Sequence, residues 1–177
     1  DNFNGGHIVI QASEQVRLDG GLVTAAGAHG GIVTMQAGQF VLDSARVAAN
    51  GVEGGGKIAI DATDSVVIRN SPLALDVSGS NPIPIPIPAP GGEVTIKANR
   101  VVINDSGINA NGMTAGGSVA IKANETIRMD GSLVETGLSI LGGGGPAGNI
   151  SIQAGESVRL LNGTVLAAEN RTIGNAG

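Results

Sequence analysis

Two histidines, His7 and His29, are the side chains of this sequence best suited to proton transfer near neutral pH. A hydrolytic triad would also need a serine and an aspartate placed beside one of them. Both histidines instead adjoin glycine-rich turns, which is typical of surface residues. The sequence therefore predicts no catalytic histidine.

Carboxylates and basic residues on one face would indicate a polysaccharide lyase, which needs clustered acids for calcium and an arginine or lysine as base. The outward positions that close the first strand of each repeat form a mixed polar row instead: Gln11, Gln36, Asp61, Lys97, Lys122 and Gln153. We expect a solvated face with one weak surface pair, Asp61 with Lys97. The glycine clusters at 54–56 and 142–145 also lack the Lys-Ser/Thr of a phosphate-binding loop. The sequence predicts no enzyme, no metal site and no cofactor.

Composition limits the kind of core that this chain can build. The 177 residues include 30 glycines, 7 prolines, 2 phenylalanines and no Cys, Trp or Tyr, yet 41% are hydrophobic. A net charge of −5 gives no basic patch for nucleic acid or anionic lipid, and no apolar run is long enough to span a membrane. The core must be thin and repetitive, made of Val, Ile, Leu and Ala.

An internal repeat explains this composition. Six variants of one phrase occur: GGHIVIQA at 5–12, GGIVTMQA at 30–37, GGKIAIDA at 55–62, GGEVTIKA at 91–98, GGSVAIKA at 116–123 and AGNISIQA at 147–154. Their second glycines are 25, 25, 36, 25 and 31 residues apart, so the basic period is 25 residues.

Each repeat contains three short stretches in which apolar and polar residues alternate, a pattern typical of half-buried strands. The third stretch is expected to open its inward face at Val23, Val47, Leu73, Ile108, Val134 and Val165. Between the second and third stretches lie turn residues, for which we expect positive φ or side-chain-to-backbone bonds: Asp19-Gly20, Asp43-Ser44, Asn104-Asp105, Asp130-Gly131 and Asn162-Gly163.

We therefore predict an all-β fold, a right-handed parallel β-helix (β-solenoid) of about six 25-residue coils with three short strands each. It forms a single domain over 1–177, with coils that start near 5, 30, 55, 91, 116 and 147. One predicted core column consists of Ile10, Met35, Ile60, Ile96, Ile121 and Ile152. A second column marks a tight corner with no room for larger residues: Ala12, Ala37, Ala62, Ala98, Ala123 and Ala154.

Two insertions interrupt the period, at about 76–90 and 138–146. The first contains NPIPIPIPAP at 81–90, whose alternating prolines favour polyproline II geometry and a protruding arm. The second is a Gly-rich loop. Their apolar residues are candidates for an interaction surface, or they lie back on the protein itself: Ile83, Ile85, Ile87, Leu138, Ile140 and Leu141.

With the repeats aligned, the sequence from Gly148 onwards (GNISIQAGESVRLLNGTVLAAENRTIGNAG) resembles repeats of filamentous haemagglutinin-like exoproteins of two-partner secretion, particularly cyanobacterial ones. All six repeats share the phrase. The resemblance implies a right-handed parallel β-helix, export, and adhesive or structural work in the extracellular space or at the bacterial cell surface. The secretion-domain motifs of that family are not matched.

Two functions remain open on the sequence. The first is a non-enzymatic structural or adhesive β-solenoid, either a shaft segment of a haemagglutinin-like surface exoprotein or a subunit of an extracellular filament assembled coil-on-coil. The alternative is a carbohydrate-binding or polysaccharide-cleaving β-helix protein. The expected partners are further copies, stacked head-to-tail along the solenoid axis, and a cell-surface or polysaccharide ligand. We expect no nucleic acid partner and no membrane insertion.

Overall fold

The computed structural model of the protein describes residues 4–79, 89–137 and 145–169. Over these residues it is all-β, with parallel strand pairing and no helix. In chain order the strands are β1 (His7–Gln11), β2 (Gln15–Asp19), β3 (Leu22–Thr24), β4 (Gly27–His29), β5 (Ile32–Asp43), β6 (Arg46–Ala48), β7 (Gly51–Gly54), β8 (Lys57–Arg69), β9 (Leu75–Asp76), β10 (Glu93–Asn104), β11 (Gly107–Asn109), β12 (Ser118–Asp130), β13 (Leu133–Glu135), β14 (Asn149–Ala154), β15 (Ser157–Leu161) and β16 (Val165–Ala167).

Three sheets contain these strands, and each repeat contributes to them in chain order. The largest sheet has the order β1-β5-β8-β10-β12-β14, with β2 paired to β5 and β15 paired to β12. The second has the order β16-β13-β11-β9-β6-β3, and the third pairs β4 with β7. Every strand thus pairs with its equivalent in the neighbouring repeat, which places equivalent residues about 4.8 Å apart.

The first two predicted strands of a repeat are one continuous strand in the four middle repeats, where β5, β8, β10 and β12 are 12 or 13 residues long. The expected corner after the alanine is only a register shift, seen between Ala37 and Gln39 and between Ala98 and Arg100. Pairing continues on both sides of the shift because a β-bulge absorbs one residue without ending the ladder.

The expected alignment of the third strand is wrong in two repeats. In the third repeat Leu75, and not Leu73, pairs with Val47, because the turn there is two residues longer and contains Pro72. In the sixth repeat Leu166, and not Val165, pairs with Val134. The small sheet of β4 and β7 was not expected either, because its glycine-rich strands carry no alternating pattern.

The turns between the second and third strands confirm the expected positive φ. Residues in this region of the backbone are Gly20, Ser44, Asn70, Asp105, Gly131, Asn162 and Gly163. Asn, Asp and Gly tolerate this conformation best among the residue types. Buried serines follow in three repeats, and each hydroxyl donates to the carbonyl two residues earlier, as from Ser106 to Asn104 at 2.6 Å.

The core lies between the two larger sheets and is made of aligned apolar columns. Ile10, Met35, Ile60, Ile96, Ile121 and Ile152 follow one another in register. Met35, Ile60, Ile96 and Ile121 are at most 1% exposed. Ile10 and Ile152, in the first and last repeats, are only partly buried, because the structure covers them from one side.

Candidate functional site

The alanine column lies along a surface groove. Ala37, Ala62, Ala98 and Ala123 are buried, whereas Ala12 and Ala154 are partly buried. We call the depression along this column the alanine groove. Its first part has a volume of about 470 Å³ and is lined by Gln11, Ala12, Ser13, Gln36, Ala37, Gly38, Asp61 and Thr63. Its second part, of about 420 Å³, is lined by Asp61, Ala62, Thr63, Lys97, Ala98, Asn99, Lys122 and Asn124.

One wall of the groove is the polar row that the sequence indicated. Strand pairing aligns Gln11, Gln36, Asp61, Lys97, Lys122 and Gln153 in that order, all exposed. The amide of Gln11 donates to Oε1 of Gln36 at 2.7 Å. On the opposite wall, Nδ2 of Asn124 donates to Oδ1 of Asn99 at 2.7 Å. On each wall, therefore, one amide–amide hydrogen bond links two neighbouring repeats.

The expected ion pair between Asp61 and Lys97 is not formed. The two residues are register partners on β8 and β10, but none of the ion pairs among the described residues joins them. Lys97 and Lys122 are register partners in turn. Over the described ranges 4–79, 89–137 and 145–169, neither ammonium group has an ion-pair or hydrogen-bond acceptor. The groove thus presents two adjacent, unpaired cations.

A charged ladder runs beside the groove, on the far side of the register shift. Asp64 accepts hydrogen bonds from Gln39 at 2.8 Å and from Arg100 at 3.1 Å, and Arg100 also lies 3.7 Å from Glu125. The hydrogen bond from Gln39, and then that from Arg100, holds the pKa of Asp64 below its ordinary value. These four residues belong to four successive repeats, so the ladder links repeats together. Sequence reasoning missed this ladder, whose signal is polar residues at the 25-residue period.

Paired glycines form a second repeated surface. A Cβ on Gly31, Gly56, Gly92, Gly117 or Gly148 would approach a carbonyl oxygen of the preceding repeat to between 2.0 and 2.1 Å. Glycine is required there because real Cβ atoms do not come so close to backbone. Gly6 is the equivalent residue of the first repeat, and a Cβ on it would meet none of the described residues within 4 Å.

The two histidines lie in different sheets. His7 is exposed on β1, and Nε2 of His29 on β4 lies 3.1 Å from a carboxylate oxygen of Glu53 on β7. No group of three or more potential metal ligands occurs among the described residues. No helix of sufficient length and apolarity to cross a membrane occurs in that part of the chain. The predicted interaction residues Ile83, Ile85, Ile87, Leu138, Ile140 and Leu141 lie outside the described residues.

The fold and the groove define an all-β protein of parallel sheets with a repeated polar surface. Comparison of the chain with family models, with curated proteins and with solved structures finds no match.

Proposed function

We propose that this chain is a non-enzymatic structural or adhesive shaft, in which the repeats wind as coils of a right-handed parallel β-solenoid. It acts in the extracellular space or at the bacterial cell surface, as the filamentous haemagglutinin-like exoproteins that its repeats resemble do. The strand orders support the winding, because each repeat adds one strand beside its predecessor in both large sheets. Crossovers between parallel strands of one sheet are right-handed in about 98% of cases, which supports the hand.

The observation that carries the proposal is Gly6. Its equivalents in the later repeats are glycines because a Cβ would collide with the backbone of the preceding repeat. Gly6 meets no such neighbour over residues 4–79, 89–137 and 145–169, so its contacts with these residues do not require glycine. If another repeat stacks on the first one, a Cβ at position 6 would collide with its backbone, and glycine is then required at this position too. A second copy of the chain, or a further repeat of a longer chain, supplies that neighbour.

The sixth repeat presents the complementary surface. Val158, Leu160 and Leu166 are between 38% and 45% exposed, whereas their register partners Ile127, Met129 and Val134 in the fifth repeat are fully buried. Inward apolar residues that are exposed at the end of a stack are covered when the next repeat is added. Burial of these side chains supplies the free energy of stacking, at roughly 25 cal/mol per Å² of apolar surface.

Sedimentation velocity and electron microscopy at rising protein concentration test head-to-tail stacking of the 177-residue chain. We expect particles that lengthen along one axis, because a heterologous contact does not close. Gly6→Ala should leave the melting temperature unchanged. It should prevent the particles from lengthening, since the new Cβ would collide with the backbone of the next copy.

Gly21→Ala is the matched control. A Cβ at Gly21 also meets nothing within 4 Å in the part of the chain that the structure describes. Its equivalent in the second repeat is Ala45, so a methyl group is compatible with stacking there. This variant should lengthen as the unmodified chain does. A chain that stays monomeric at every concentration, or a Gly6→Ala variant that still lengthens, would contradict stacking of copies.

A further inference from the structure

The lysine pair in the alanine groove is the starting point. Lys97 and Lys122 are exposed, lie directly opposite each other on β10 and β12, and have no acceptor among the described residues. Like charges directly opposite on neighbouring strands destabilise a sheet. By contrast, Lys57 on the same sheet is paired with Glu93 at 3.0 Å. An anionic group held between the two free ammonium groups would relieve their repulsion.

The rest of the groove suits hydroxyl groups. Beyond the lysines, its walls present the amides of Gln11, Gln36, Asn99 and Asn124, which can both donate and accept hydrogen bonds. The open volume of the groove, about 420 Å³ beside the lysines, leaves room for a ligand to approach the sheet. Equivalent groups recur about every 4.8 Å along the stack. This spacing suits an extended polymer whose polar groups also recur at short intervals.

The distribution of charge restricts the polymer. Asp61 lies next to Lys97 in the row, and the two positions before Asp61 are neutral glutamines. A polymer with an anion on every unit would place negative charge against Asp61. The net charge of −5 also opposes dense polyanions such as nucleic acids. The groove therefore suits a ligand in which anionic units are separated by neutral, hydroxyl-bearing units.

We propose that the alanine groove binds a linear polysaccharide in which carboxylate-bearing sugars alternate with neutral ones. Lys97 and Lys122 together bind one carboxylate, and the amides of Asn99 and Asn124 bind the neighbouring hydroxyl groups. Asp61 accepts hydrogen bonds from the hydroxyl groups of the next neutral sugar. The chain has no Tyr or Trp on which a sugar ring could stack, so affinity comes from these hydrogen bonds and charges. This site adds a ligand to the proposed shaft and does not depend on stacking of copies.

Isothermal titration calorimetry on the full chain tests the site, with a hyaluronan decasaccharide as the probe because it carries one carboxylate on every second sugar. A neutral cello-oligosaccharide, polygalacturonate and heparin are the comparison ligands. We expect hyaluronan to bind more tightly than all three. In Lys97→Gln/Lys122→Gln the dissociation constant should rise at least about tenfold, because two charged hydrogen-bond donors are lost.

Lys57→Gln is the matched control, since this lysine lies on the same sheet outside the groove and should leave the dissociation constant within about twofold. Lys97→Arg/Lys122→Arg should retain most of the affinity. Melting curves of all variants establish that they fold. The proposal is overturned if hyaluronan does not bind, if the double Gln variant binds it as well as the unmodified chain does, or if heparin or polygalacturonate binds more tightly.

Discussion

The guanidinium group of Arg46 in the second repeat donates a hydrogen bond to the carboxylate of Asp76 in the third, whose side chain is 3% exposed. Asp76 also accepts from the amide of Asn50 at 3.4 Å and from the backbone N–H of Ser78 at 3.1 Å. Ser78 lies in the first insertion, shortly before the sequence NPIPIPIPAP at 81–90. The buried carboxylate thus links Ser78, at the start of the insertion, to Arg46 and Asn50 of the preceding repeat.

Arg46→Met should lower the free energy of unfolding by roughly 3–5 kcal/mol, because it leaves a buried carboxylate without its counter-ion. Arg128→Met is the control, since Arg128 pairs with Asp130 at the surface and its loss should cost less than about 1 kcal/mol. Urea unfolding followed by circular dichroism measures both. If the free energy of unfolding falls equally in the two variants, the burial of Asp76 does not make the loss of its counter-ion more costly.

Thr136→Val should raise the free energy of unfolding by about 1 kcal/mol. The side chain is fully buried, and its hydroxyl has no hydrogen-bond partner in the part of the chain that the structure describes. Valine has the same shape and removes the buried polar group, which is costly when unsatisfied. Thr164→Val is the matched control, because its hydroxyl donates to the carbonyl of Leu161 at 2.8 Å. Differential scanning calorimetry should show opposite shifts, and a destabilised Thr136→Val would contradict this account.

Ala98→Leu should lower the free energy of unfolding by roughly 1–3 kcal/mol, because Ala98 is only 6% exposed and three more carbons on its inward side would overpack the core. Ala120→Leu adds the same atoms on the outward side of β12, where the alanine is half-buried. We expect that control to change stability by less than about 0.5 kcal/mol. Thermal melting compares them, and equal melting temperatures would argue against close packing around the alanine column.

Acid should destabilise the protein through Asp43. A hydrogen bond from Asn70 at 3.0 Å, with further contributions from Arg69, outweighs the effect of burial and lowers the pKa of Asp43 below its ordinary value of 3.8. A carboxyl whose pKa is lower in the folded state stabilises the fold above its ordinary pKa, and this stability is lost as pH falls through the folded value.

The melting temperature should therefore fall as pH is lowered below about 4, and Asp43→Asn should flatten this fall. Asn70→Gly removes the first donor while keeping the positive φ of 54° at that position. It should move the acid transition of the protein to higher pH. If the unmodified chain, Asp43→Asn and Asn70→Gly all unfold at the same acid pH, Asp43 does not cause the loss of stability in acid.

Some features of the candidate site could be predicted from the sequence. The polar row from Gln11 to Lys122 was visible because outward residues of a period-2 strand recur at the repeat length. The sequence did not show which side chains of this row bond to one another. Adjacency of Asp61 and Lys97 indicated an ion pair, but long, flexible side chains on a solvated sheet do not pair merely because their Cα atoms are neighbours.

The sequence alone determined the parallel β-strands, the aligned columns through Ile60 and Ile96, and the turns at Gly20 and Gly131. Each repeat has apolar residues at the same positions and the same residue types in its turns. All of these apolar residues become buried only when equivalent strands of neighbouring repeats pair in register. The tertiary structure decided which turns run long, where two predicted strands form one, and that Arg46 reaches Asp76. These outcomes depend on the lengths of individual turns and on the reach of side chains between repeats, neither of which a 25-residue pattern specifies.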